Sequence, residues 1–526
     1  MDGRVKPGQD GTGSNPDGKH RGHDGGGPDH EERDLPVFAV APETTWVLRL
    51  ILAATLVRIG FAWALGLGVD ESYMVATGRT LRLGYFDHPP ASWWMQWAGA
   101  RLFGTEAPLA VRLPFIAAFA LATWLMYRLG ATVADRRAGL WAAVTLTLSP
   151  VFGVTTASWV LPDGPLDLAL LGAALCLVHA LPARGRAATA WWIGAGLCAG
   201  IALFSKYTAV LTIGGAFVYL LTSPVHRRWL ARPEPYLAGV LALAVFAPVV
   251  VWNATHHWAS FAFQGDRALG LRFRPWQVFV VLGGEALFVL PWIWAPMMAA
   301  FLAALRRGPG DWRSWLLLCL GAPPILAFAL IAVVSRDRVL FHWAAPGYLM
   351  GFPLLGAWIA ARIGNRHVRR TLAGTAAFVL LAVMVVGTQI KMDWMHPLLA
   401  RVARHDPDLA GIDWTSLRPQ LEARGLLRPG VVVGVPSWSV GGKIAYALGP
   451  GVRVICLNPD ARQFGFDAPA ARFAGRDILV VAPGRGAAQA LAGRFATVTP
   501  LAPATIEDRG VVLRHVSVFL GHGLRR

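Results

Sequence analysis

The sequence predicts a membrane protein of the all-α class, a polytopic helical bundle followed by a small α/β domain. Three observations carry this. Hydrophobic residues make up 55% of the 526 positions and charged residues only 15%, more apolar surface than a soluble chain of this length covers. Apolar runs near the ~20 residues needed to cross a bilayer recur up to residue 390. Beyond residue 391 the runs shorten to strand length and alternate with helical stretches.

Residues 1–36 are rich in Gly, Asp, His and Pro. With the first apolar run opening at 46, a disordered cytoplasmic tail over 1–45 is expected. No charged segment precedes a short apolar one there, so no cleavable signal is expected. His20, His23 and His30 belong to this solvated tail. The apolar runs follow at roughly 46–68, 107–128, 138–157, 164–182, 190–205, 207–222, 236–252, 276–305, 314–334, 343–361 and 371–390. They predict about eleven transmembrane helices over 46–390. Residues 91–104, with Trp93, Trp94 and Trp97, read as a short interfacial helix, since aromatics favour the headgroup level.

The net charge of +18 resides mostly in short loops between apolar runs, which reads as topology control and excludes a nucleic-acid partner. Arg128/Arg136/Arg137, Arg184/Arg186, Arg227/Arg228/Arg232, Arg306/Arg307/Arg313 and Arg362/Arg366/Arg369/Arg370 all fall on one side if the helices alternate. That side is the cytoplasm by the positive-inside rule. The N-terminus is then cytoplasmic, and Asp70, Glu71, Asp87, His88, Asp163, the 253–275 and 335–342 loops and everything beyond 391 face outside. Cys176, Cys198 and Cys319 lie in apolar runs and Cys456 outside them, which leaves no disulfide framework and no zinc-type spacing.

In 391–526, Val431–Val435, Val452–Leu457, Asp477–Val481 and Val516–Leu520 read as strands and Gly442–Leu448 as a short helix. Asp460, Arg462 and Gln463 follow a strand end, where α/β sheets often bind ligands. A surface loop is the favoured reading.

The chemistry concentrates on one face. Asp70-Glu71 places two carboxylates at the mouth of a membrane helix, a costly position. They suit a general base, a metal ligand or both, because apolar walls raise a carboxyl pKa toward the range a base needs. Asp163 follows Leu161-Pro162 and reads equally as a helix cap or a site residue. Asp87-His88-Pro89-Pro90 is a stiff turn offering two ligands to a divalent cation. His256 and His257 offer a third or simply line the interface. Lys206 suits a phosphate or a snorkelling role. Arg267, Arg272, Arg274, Arg336 and Arg338 break the topology rule, which points to an anionic headgroup or phosphate, or to anionic lipid.

The ordered set Asp70-Glu71, Tyr85-Phe86-Asp87-His88-Pro89-Pro90, Arg112-Leu113-Pro114, Leu161-Pro162-Asp163, Ser205-Lys206-Tyr207 and His342-Trp343-Ala344-Ala345-Pro346 resembles one family over roughly residues 45–390. It is the bacterial branch of the polyprenyl-phosphate-dependent glycosyltransferases, GT-C-fold enzymes that include protein O-mannosyltransferases and the lipid A aminoarabinose transferase. The resemblance implies a GT-C bundle in the bacterial inner membrane with a periplasmic active site. The partners it implies are a polyprenyl-phosphate-linked sugar, a lipid, envelope-glycan or protein acceptor, and membrane lipids. It implies catalytic roles for Asp70, Glu71 and Asp163. It implies donor-phosphate contacts from Lys206, Tyr85, Arg267, Arg272 and His342. A divalent metal (Mg, Mn or Zn) would have Asp87, His88, His256 and His257 as its ligand candidates. The chain departs from the pattern at His88, where the aminoarabinose transferases carry Lys. It also lacks the long luminal insertions of the eukaryotic mannosyltransferases. The rival readings are a flippase for a lipid-linked sugar, which should carry polar residues at mid-membrane, and a glycan-binding receptor, which would not need the acidic residues.

Overall fold

The computed structural model describes residues 41–268, 272–335, 338–392, 394–395, 411–508 and 511–525. The expected tail up to residue 40, with its three histidines, and Arg336 lie outside the described residues.

Helix α1 (Pro42–Ala64) starts ahead of its apolar run. Pro42 opens the first turn, where its missing N–H costs nothing, and Glu43 favours the positive end of the helix dipole. Short α2 (Val69–Thr77) and α3 (Ala91–Phe103) follow, then α4 (Pro108–Val133), α5 (Arg136–Leu148), α6 (Asp163–Ala180), α7 (Gly185–Ser205), α8 (Ala209–Thr222), α9 (Pro233–Thr255) and α10 (Ala259–Ala268). The bundle closes with α11 (Gln277–Val289), α12 (Pro291–Arg307), α13 (Trp312–Val334), α14 (Ala345–Leu349), α15 (Phe352–Ala360) and α16 (Arg366–Met392).

Among the described residues, seven helices are long and apolar enough to cross a membrane: α1, α4, α6, α7, α9, α13 and α16. An eighth span arises if α11 and α12 count together across their 112° bend. The break falls at Leu290, φ 83°, just before Pro291, which removes an N–H and disfavours helix at the residue ahead of it. The shorter runs explain the distance from the expected eleven. Those at 138–157 and 207–222 yield helices of 13 and 14 residues, and 343–361 divides into α14 and α15. Small residues bring α7 and α9 into backbone contact: a Cβ at Gly196 would lie 2.5 Å from the Ala238 carbonyl oxygen, the close approach that glycine permits between membrane helices.

The C-terminal domain comprises α17 (Leu417–Ala423), β1 (Val432–Val435), α18 (Trp438–Leu448), β2 (Arg453–Cys456), α19 (Gln463–Asp467), β3 (Ile478–Pro483), α20 (Gly484–Ala492), β4 (Phe495–Asp508) and β5 (Val511–Leu524). Its sheet runs β2-β1-β3-β5-β4. β1 is parallel to β2 and β3, and β5 is antiparallel to β3 and β4. β4 was not expected, because Pro500 and Pro503 argue against a strand. It occupies the sheet edge, where a missing N–H is tolerated, and its register shifts between Leu501 and Ala504.

This domain packs directly on α2. A Cβ at Gly442 would lie 2.7 Å from the Tyr73 Cα, so α18 touches the α2 backbone. Lys443 Nζ donates to the Leu67 carbonyl and, at 2.8 Å, to that of Ile412. Arg79 donates to the Ala445 carbonyl at 3.0 Å, and Tyr446 Oη to that of Glu106 at 3.0 Å. Leu67, Tyr73, Met74 and Val111 share one hydrophobic core with Ile444, Leu448 and Phe464. Residues Pro42–Arg526 accordingly form a single compact unit.

Candidate active site

Helix ends build the site. The α1–α2 junction, the N-terminal ends of α4 and α6 and the C-terminal ends of α7 and α9 meet beneath the C-terminal domain, while the Arg-rich loops lie at the other end of the bundle.

Asp70 lies in the first turn of α2 and is exposed to solvent, with no hydrogen-bonded or ion-paired partner among the described residues. Surrounding protein raises its carboxyl pKa by desolvation. Arg462 opposes the rise, and Asp87, Glu71 and Asp163 add to it. An accessible carboxylate with a raised pKa can accept a proton.

Glu71 behaves differently, correcting the expectation that it acts beside Asp70. Arg112 grips it at 2.6 and 2.8 Å, and the Gly68 and Val160 amides donate to it at 2.7 and 3.0 Å. Burial alone would raise its pKa, but Arg112 and the two amides outweigh burial and hold it below the usual range. All its acceptor sites are used, so it anchors α2 to α4.

Asp163, at the first position of α6, accepts from Lys206 Nζ at 2.8 Å, and both side chains are buried. Lys206 is the C-cap of α7. Asp167, one turn further along α6, is also buried, and its Oδ2 has no hydrogen-bond partner. Its i,i+4 spacing from Asp163 is the signal in the sequence that marks it.

His88 and His342 feel the Lys206, Asp163 and Arg267 charges. Burial first, then Lys206, lowers His88 to about 3 and His342 to about 4, so both rings are neutral at neutral pH. Arg267 lies over the Trp343 ring at 4.7 Å. Arg272 is exposed, and its backbone N–H donates to the Val334 carbonyl. Tyr85, expected at the donor phosphate, is fully buried. Its ring stacks on Trp93 at 4.3 Å and its Oη donates to the Thr80 carbonyl at 3.1 Å, so it braces the turn. Trp93 is likewise core rather than interfacial, with Nε1 donating to Thr77 Oγ1.

The expected metal ligands do not converge. Asp87 Oδ1 accepts from Tyr73 Oη at 3.1 Å and Oδ2 from Arg462 Nη1 at 3.2 Å. The His256 ring stacks on Trp252, and its Nδ1 lies 2.8 Å from the Trp252 carbonyl oxygen. His257 is exposed, with φ 56°. No three His, Cys, Asp or Glu side chains among the described residues could jointly hold a metal ion. A dication on Asp87 would lie about 5 Å from the guanidinium and be repelled by on the order of 5 kcal/mol. The residues present do not fit a divalent ion.

Arg462 and Gln463 overturn the surface-loop reading. Gln463 is fully buried; its N–H donates to Tyr73 Oη and its Oε1 accepts from the Phe86 N–H, both at 3.0 Å. The strand-end position was the signal in the sequence; what it lacked was the identity of the surface opposite.

A family model for dolichyl-phosphate-mannose-protein mannosyltransferases matches residues 87–252. A lipid A galacturonosyltransferase of Rhizobium johnstonii is 28% identical over 305 residues, covering 55% of this chain and 60% of the relative. An undecaprenyl phosphate-α-4-amino-4-deoxy-L-arabinose arabinosyl transferase of Sodalis glossinidius is 30% identical over 291 residues, covering 51% of this chain and 49% of the relative. The chain thus spans about half to three fifths of the length of these curated relatives. The crystal structure of ArnT from Cupriavidus metallidurans in the apo state superposes with a TM-score of 0.63 at 17% identity, covering 91% of this chain and 98% of that one. The chain is thus similar in sequence to these membrane glycosyltransferases and shares the fold of ArnT.

The ArnT-like fold extends well beyond the family-model match, which contains Asp87, His88, Asp163 and Lys206 but neither Asp70 nor Arg462. The cations Lys206, Arg267 and Arg462 lie around a neutral His88, and of these Arg462 also acts on the open carboxylate of Asp70.

Proposed function

We propose that this protein transfers a sugar from a polyprenyl-phosphate donor to a lipid acceptor of the lipid A type, at the external face of the bacterial inner membrane and with inversion at the anomeric carbon. One observation carries the reading: Asp70 is an accessible carboxylate without a hydrogen-bonded or ion-paired partner among the described residues, and Arg462, which acts on it, joins Lys206 and Arg267 around His88. The names of the relatives support the acceptor, and a second ArnT structure, bound to undecaprenyl phosphate (TM-score 0.62, 16% identity, covering 90% of this chain), supports the donor class. The arginine distribution supports the orientation.

In this reaction the acceptor hydroxyl gives its proton to Asp70 as its oxygen attacks the anomeric carbon. The bond from that carbon to the phosphate oxygen breaks on the opposite side, and polyprenyl phosphate leaves. Positive charge already in place stabilises the negative charge growing on the phosphate. Lys206 contributes it while Asp163 fixes the ammonium in position. The leaving group is good enough that no strong acid is required. An apolar cavity of about 210 Å³, lined by Leu170, Trp192, Phe217, Tyr236 and Leu316 among others, offers room for an isoprenoid or acyl chain.

Purified protein in lipid, given radiolabelled sugars on undecaprenyl phosphate and an envelope-lipid extract, should move label into lipid. Asp70→Asn should lose about 10²–10⁴-fold in rate, the usual contribution of a general base. Wild-type protein that consumes no donor, or a variant as fast as wild type, would rule the reading out.

A further inference from the structure

We propose that Arg462, delivered by the C-terminal domain, takes the place of a divalent cation at Asp87, so that the donor phosphate is bound without a metal ion. The inference rests on the glycosyltransferase reading above and names the cation of that site.

The geometry is specific. The Arg462 guanidinium lies 3.5 Å above the Trp438 ring and 5.6 Å from that of Phe263, and its Nη1 is 3.2 Å from Asp87 Oδ2. The side chain is 19% exposed, against 4% for Asp87. Its Nε makes no hydrogen bond and lies 3.9 Å from Asp460 Oδ1, and His88 Nδ1 is likewise buried without a hydrogen-bond partner. The Arg462 backbone has φ 46°, a strained conformation for a side-chain-bearing residue that surrounding structure must hold. The two hydrogen bonds of Gln463 to Tyr73 and Phe86 hold it. Arginine suits this place: it is always charged, stacks on aromatic faces, and presents a planar fork that matches carboxylate and phosphate together. Both Asp87 oxygens are thereby engaged, Oδ1 by Tyr73 and Oδ2 by Arg462, and positive charge reaches the site from a part of the chain that the bundle alone does not contain.

The test measures binding of undecaprenyl phosphate to the full-length protein in detergent, with EDTA and with added Zn²⁺, Mn²⁺ or Mg²⁺, for wild type, Arg462→Ala, Arg462→Gln and Arg462→Lys. The expected result is a wild-type Kd indifferent to EDTA and to each metal. Arg462→Ala and Arg462→Gln should bind at least tenfold more weakly in every condition. Arg462→Lys should recover part of the loss, and added guanidinium should partly rescue Arg462→Ala, which a packing defect would not allow. If Arg462→Ala loses its thermal transition, the Gln and Lys pair, both stacking on Trp438, decides the matter. Weakening by EDTA that a metal reverses would overturn the proposal, and so would wild-type affinity in Arg462→Gln. The binding arm judges Arg462 alone; the donor panel described above judges the transferase reading.

Discussion

Replacing Glu71 with glutamine is expected to destabilise the protein by about 3–5 kcal/mol, the loss typical when one partner of a buried ion pair is removed. The Glu71 Oε1 accepts from Arg112 Nε at 2.8 Å and from the Val160 N–H at 3.0 Å. Its Oε2 accepts from Arg112 Nη2 at 2.6 Å and from the Gly68 N–H at 2.7 Å. Glutamine keeps one oxygen and turns the other into an amino group facing two donors. Arg112, with its side chain only 5% exposed, is left with the carbonyls of Ala62, Leu65 and Gly66. Two charge-assisted bonds, worth roughly 1.5–3 kcal/mol each, disappear or weaken. The assay is equilibrium unfolding in detergent, run beside the rate of sugar transfer at a temperature where the variant is folded. A variant within about 0.5 kcal/mol of wild type that had nonetheless lost activity would refute the anchoring role and return Glu71 to the chemistry.

Three further outcomes are expected. Gly442→Ala should cost about 1–3 kcal/mol as an overpacked contact, because its Cβ would meet Tyr73 backbone atoms at 2.7–2.8 Å; limited proteolysis should then cut between bundle and C-terminal domain sooner than in wild type. Tyr85→Phe should lose no more than about 1.5 kcal/mol of stability, one hydrogen bond, and leave the donor KM unchanged; a large rise in KM would restore Tyr85 to the phosphate site. Because desolvation by the surrounding protein raises the Asp70 pKa and its working form is the carboxylate, kcat/KM should climb with pH through a limb that lies above the ~3.9 of an ordinary Asp. An acid limb at or below that value would exclude Asp70 as the base.

Polar residues at the ends of apolar runs were readable from the sequence because alternating helices bring such ends to one side, and Asp163 and Lys206, 43 positions apart, indeed pair. The division of labour between Asp70 and Glu71 was not readable. Adjacent residues on a helix differ by about 100° in direction, which turns one carboxylate to solvent and the other to Arg112, 41 positions away. Tyr85 looked like a ligand because nothing local announces that Trp93 covers its ring. β4 was hidden by prolines that only a sheet edge accommodates. Arg462 was hidden by distance, since nothing in the chain states which face of the C-terminal domain rests on α2.

That docking has a consequence for how the protein is made. Gln463 meets Tyr73 across 390 positions, a stretch that takes about 20–80 s to synthesise at typical elongation rates. Until then Asp87 has no guanidinium beside it and the apolar face of α2 is bare, while the bundle itself is completed only at Met392. The nascent bundle therefore carries an adhesive face for that interval. The Asp87–Arg462 pair forms only when the last quarter of the chain has docked on α2.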